Sequence, residues 1–79
     1  MKTMIQYIPE VPGVHGPYLW IGRQNADLFT FIKLISLYFP IKMRKYAGKV
    51  ESRFELPYGA LDNDFVKVAF DRLNVELYE

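Results

Sequence analysis

The sequence predicts a small α+β protein, a two-layer sandwich with two helices on one face of a mostly antiparallel sheet of about four strands. Three observations carry this. Residues 49–56 and 75–78 alternate with the period of two that a strand requires, residues 26–38 place polar groups every third position as a helix does, and punctuating prolines and glycines separate these segments. The chain has 79 residues, 51% of them apolar. That is one domain, residues 1–79, too apolar for a disordered chain and too short for a second core.

Thr3–Ile8 is the first strand candidate, with Ile5 and Tyr7 on one side and Met4 and Ile8 on the other. Pro9-Glu10-Val11-Pro12-Gly13-Val14-His15-Gly16-Pro17 packs three prolines and two glycines into nine residues and reads as a loop. Tyr18–Ile21 is a second short strand, closed by Gly22 and paired antiparallel with the first. A helix then begins at Ala26, with Asn25 as its N-cap and Asp27 in the first turn, where the helix dipole favours a carboxylate. It runs to Tyr38. Pro40 stops it, because proline lacks an amide hydrogen and pushes Phe39 away from helical dihedrals.

Lys49–Leu56 is the clearest strand: Val50, Phe54 and Leu56 point one way, with Ser52 as the small exception, while Lys49, Glu51, Arg53 and Glu55 face water. Ile41–Tyr46 before it is either another strand or an irregular approach, and Pro57-Tyr58-Gly59 ends the segment. Asp62 or Asp64 caps a second helix through about Leu73, with Phe65, Val66, Ala69, Phe70 and Leu73 on its apolar side. The rival is a hairpin over 65–78 turning at Asp71–Asn74; helical spacing favours the helix. Val75 and Leu77 alternate with Glu76 and Tyr78 in a last strand, so the order is β-β-α-β-α-β.

Composition narrows function more than it defines it. With no cysteine and one histidine, thiolate metal sites, disulfides and cysteine nucleophiles are excluded. His15 sits in the Pro/Gly loop with no second histidine to share a metal, and is read as a loop residue. Asp62-Asn63-Asp64 opens like a calcium loop, but Phe65 and Val66 stand where further ligands are needed. Glu51 and Glu55 are each flanked by cations and lie four apart along one strand, a poor arrangement for a general acid and base. Gly13, Gly16, Gly22, Gly48 and Gly59 fit neither nucleotide-binding spacing. No catalytic residue, metal or cofactor is expected.

Two features point to binding. The first helix is apolar around most of its circumference, more than one thin sheet layer covers in so short a chain, so Leu28, Phe29, Ile32 and Ile35 are expected to meet another protein or a second copy of the chain. The primary expectation is therefore a non-enzymatic, stoichiometric protein-interaction module, self-associating through this helix, in the manner of a small phage or mobile-element regulator or inhibitor. The alternative is nucleic-acid binding. Lys42, Arg44, Lys45, Lys49 and Arg53, with Tyr46 among them, place five cations, one acid and an aromatic ring in twelve residues. Overall charge is only +1, but residues 1–61 carry eight basic and four acidic groups and residues 62–79 two and five. The N-terminus lacks the pattern of a signal peptide, and the longest apolar stretch, Leu28 to Ile41, is interrupted and short for a membrane span; a cytoplasmic protein is expected.

Overall fold

The computed structural model describes residues 2–79. Its elements are β1 (Thr3–Ile8), β2 (Tyr18–Gly22), α1 (Ala26–Ile35), β3 (Lys42–Arg44), β4 (Glu51–Glu55), a 3-10 turn at Ala60–Asp62, α2 (Asp64–Arg72) and β5 (Val75–Tyr78). The five strands form one sheet in the order β3-β4-β2-β1-β5. The α+β class agrees with the sequence, and so does the element order apart from one added strand before β4. The sheet has five strands rather than about four, because Lys42–Arg44 pairs antiparallel with β4, and it is mixed, because β5 runs parallel to β1.

The strand directions explain why both helices share a face. Successive antiparallel pairings make β2 and β3 point the same way, with α1 as the crossover between them, and make β4 and β5 point the other way, joined through α2. The two crossovers travel in opposite directions across the sheet along oppositely directed strands. A right-handed connection in each case puts its helix on the same side. The buried residues follow that geometry: Ile5, Leu19, Ile21 and Phe54 from the sheet pack with Leu28, Ile32, Val66 and Phe70 from the helices in one cluster. Ser52 is also buried on this face, opposite Ile21.

Several local expectations shift. β4 begins at Glu51 rather than Lys49, and Val50 is 76% exposed, because the turn through Gly48, at φ +77°, holds it outside the ladder. α1 ends at Ile35 rather than Tyr38: the Ser36 hydroxyl donates to the Lys33 carbonyl, and Leu37 and Tyr38 amides bond three residues back in a tighter turn. Asn25 precedes α1 without a side-chain cap bond. The second helix is a helix and not a hairpin, and its cap is Asn63 rather than Asp62 or Asp64. Asn63 Oδ1 accepts from the Val66 amide at 3.2 Å, while Asp62 is used up in the 3-10 turn and Asp64 supplies first-turn charge. Asn74 adopts φ 57°, the left-handed conformation that asparagine tolerates, and turns the chain directly from α2 into β5.

The loop 9–17 is held at both ends of its path. Glu10 Oε1 accepts from the Gly59 amide at 2.8 Å, and the Leu56 amide donates to the Pro17 carbonyl at 2.9 Å. A Cβ at Gly16 would drive into the Leu56 carbonyl, so only glycine lets the two backbones approach here.

Because β5 pairs with four consecutive residues of β1 and lays Val75 and Leu77 on the core, deleting residues 74–79 should abolish the cooperative melt seen by circular dichroism. Glu76→Gln, on the opposite, wet side of the strand, should stay within about 0.5 kcal/mol of the parent.

Candidate nucleic-acid interface on the open sheet face

With both helices on one side, the other face of the sheet is bare. Strand alternation assigns to it Lys42 and Arg44 of β3, Glu51, Arg53 and Glu55 of β4, Tyr18 and Trp20 of β2, and the outward residues of β1 and β5. The register builds two rows. Arg44 lies opposite Arg53, which lies opposite Trp20; Lys42 lies opposite Glu55, which lies opposite Tyr18.

The cations of this face sit over its rings. The Arg53 guanidinium is 4.2 Å from the Tyr18 centroid and 5.6 Å from that of Tyr46, Arg44 is 5.3 Å from Tyr46, and the Lys49 ammonium is 4.8 Å from the Trp20 ring. Tyr46 and Trp20 are 5.4 Å apart at a 44° tilt. The His15 ring stacks on Tyr18 at 4.4 Å, and its Nδ1 lies 2.6 Å from the Gly16 carbonyl, so this histidine staples the loop to the edge of the aromatic row. All three large rings are half-buried under these neighbours.

Beside Tyr46 lies a cleft of about 320 Å³ lined by Arg23, Lys45, Tyr46, Lys49, Val50 and Ser52. Three cations and no carboxylate line it. Because Ser52 turns to the covered side of β4, the cleft sits around the start of β4 rather than on the bare face itself, and Tyr46 is the residue it shares with the aromatic row, where Glu51 and Glu55 interrupt the cations.

Of the six residues that the sequence marked for nucleic acid, Arg44, Tyr46, Lys49 and Arg53 converge on the Trp20–Tyr46 pair and Lys45 lines the cleft. Lys42 stands apart. It lies next to Glu55 at the far corner, in a shallow hollow with Gly16 and Tyr58. Tyr18, Trp20 and Arg23 were not marked, although Tyr18-Leu19-Trp20-Ile21 places both amphipathic rings on one strand face and both aliphatic side chains on the other. That difference in side-chain chemistry was the available signal.

The residues marked for a protein interface lie elsewhere than expected. Leu28, Ile32 and Ile35 are 3%, 0% and 7% exposed, facing the sheet in the core, and Phe29 is half-buried, edge-on to Phe54 with ring centroids 5.5 Å apart. The helix carries two apolar stripes, and these four residues belong to the inward one. Its outward apolar surface is Leu34 with Leu37 and Tyr38 just beyond the helix end.

Among the described residues no helix is long and apolar enough to cross a membrane, and no three metal-binding side chains are grouped. No known protein family, curated protein or solved structure matches the chain.

Trp20 is the single tryptophan, so its fluorescence reports this face alone. Lys49→Ala should uncover the ring and move its emission to longer wavelength, at a stability cost of about 0.5–1 kcal/mol, as expected for one exposed cation–π contact.

Proposed function

We propose that the open sheet face binds single-stranded nucleic acid, with bases stacked along Trp20, Tyr46 and Tyr18 and phosphates held by Arg44, Lys49, Arg53 and the Arg23 side of the basic cleft. One observation carries this reading above all: Arg44 and Arg53 are direct cross-strand neighbours with the Tyr46 ring against both, Glu51 and Glu55 lying to either side of Arg53 along its own strand. Like charges opposite each other in a ladder are unfavourable. An anion lying between the two guanidinium groups removes that repulsion, and a phosphodiester supplies it at the spacing of a strand that also offers bases to the adjacent rings.

The class of ligand follows from the chemistry of the surface. Aromatic faces accept any base, guanidinium groups track the backbone, and neither reads sequence through hydrogen-bond patterns, so binding is broad rather than sequence-specific. An open, five-stranded face lined with rings also suits splayed, unstacked bases better than a duplex, whose bases are turned inward. The function is binding and not catalysis. This puts the alternative expectation ahead of the protein-interaction module that the sequence favours first, because the four helix residues expected to carry that contact are turned into the core or half-buried.

Anisotropy titrations of a labelled oligothymidylate or oligouridylate of about 12 nucleotides test the proposal. Four phosphate contacts predict a log–log salt slope near −3, at about 0.7 per contact, and Arg53→Gln should flatten it by about 0.7. Trp20→Ala should weaken binding by about 1–3 kcal/mol while Trp20→Phe retains most of it. Absence of binding to both oligomers at about 50 mM salt, or binding indifferent to both Trp20→Ala and Arg53→Gln, would overturn the assignment.

A further inference from the structure

The basic cleft at the start of β4 differs in kind from the ring row beside it. The antiparallel register brings the residues after β2, those after β3 and those before β4 to one end of the sheet, where they contribute Arg23, Lys45 and Lys49. On the bare face Glu51 and Glu55 stand about Arg53, and Glu55 stands opposite Lys42. No carboxylate lines the cleft. Among the described residues none of its three cations makes an ion pair, and Lys49 alone has a partner, the Trp20 ring.

Ser52 supplies an independent observation. It is the polar residue that breaks the apolar side of β4, it is only 8% exposed, and it lines the cleft. Its hydroxyl makes no hydrogen bond among the described residues, yet no fully enclosed side-chain oxygen among them lacks a partner, so the Oγ keeps an opening, and the cleft is the space it lines. A donor held there without a partner is completed by an acceptor on a ligand.

We infer that the cleft is a phosphomonoester site, and that it takes the terminal phosphate of a nucleic-acid strand whose adjoining bases lie on Tyr46 and Trp20. This rests on the nucleic-acid reading of the bare face and adds where the strand ends. Charge selects the monoester. A phosphate within the strand carries a single negative charge, whereas a terminal one carries about 1.5–2 at neutral pH and presents three acceptor oxygens. Three cations and a free hydroxyl match it in charge and in donors.

Placement selects a strand end. The cleft lies off the line of rings, so a phosphate that enters it has left the stacked row, and Tyr46, which borders both and is 5.4 Å from Trp20, stacks the last base while its phosphate turns inward. Lys49 spans the same junction, lining the cleft with its ammonium 4.8 Å from the Trp20 centroid. The volume of about 320 Å³ is at the lower end of small-ligand sites, about 300 Å³, which suits a phosphate with its sugar rather than a longer segment.

Anisotropy titrations of the full chain with two pairs of oligothymidylates of about 12 nucleotides test this. One pair differs only in a 5′ phosphate and the other only in a 3′ phosphate, each labelled at the opposite end. In at least one pair the phosphorylated member should bind about tenfold tighter, as one added charge-assisted hydrogen bond gives. Ser52→Ala should cut that preference severalfold while leaving the hydroxyl-ended strand within about twofold of the parent, and Lys45→Gln, at an exposed position, should cut it as well. Thymidine monophosphate and inorganic phosphate, as competitors, should bind at least about tenfold more weakly than the phosphorylated strand, since they lack the row of stacked bases. Equal binding within both pairs would overturn the terminal site and leave the ring-row reading standing, whereas no binding by any of the four oligomers would remove both. A preference undiminished in both variants would also overturn it, and a mononucleotide that binds as tightly as the strand would give the cleft to a free nucleotide instead.

Discussion

The antiparallel register of β2 against β4 is the constraint on which the rest of the molecule depends. It sets Leu19 against Phe54 and Ile21 against Ser52 on the covered face, and in the same stroke sets Trp20 against Arg53 and Tyr18 against Glu55 on the bare one. A slip of one residue would exchange the faces, driving Arg53 into the core and Phe54 into water. Core and candidate site are thus two sides of a single pairing. Anything that secures the register, such as Gly16 and Pro17 locked against Leu56, secures both.

Thinness is the second constraint. The covering layer consists of helices of ten and nine residues, and both crossovers place theirs on the same side. The bare face is the consequence. Its residues are those that tolerate half-burial: tyrosine and tryptophan rings with polar edges, and arginine and lysine stems lying across them. The guanidinium groups of Arg44 and Arg53 lie over tyrosine rings, and Arg53 has Glu51 and Glu55 on either side of it along β4.

The helical layer is also too small to bury itself. α1 faces the sheet with Leu28, Ile32 and Ile35, and its second stripe, Phe31 with Leu34, is left against the start of α2 as a groove. Two short helices on one side thus leave both a bare sheet face and an apolar seam between the helices themselves.

The sequence by itself determined the class of fold, the place of each helix and most strands, and the basic character of residues 42–53, because these depend on local periodicity, on caps and on the breaking power of proline and glycine. It also marked α1 as having more apolar surface than one sheet can cover. What it could not assign is which stripe turns inward: Leu28, Phe29, Ile32 and Ile35 are chemically indistinguishable from Phe31 and Leu34 until the crossover fixes the rotation of the helix against the sheet. The parallel pairing of β5 with β1, the fifth strand at Lys42–Arg44, and the convergence of Trp20, Tyr18 and Arg23 with the basic segment were likewise settled only by tertiary structure. The β1–β5 pairs are 72 positions apart and Trp20 and Tyr46 are 26 apart, so the free energy of these contacts lies in the geometry of segments meeting that no short window along the chain contains; β3 pairs with β4 across only 9 to 13 positions, but its three exposed residues carry no alternation of their own that distinguishes a strand from an irregular approach.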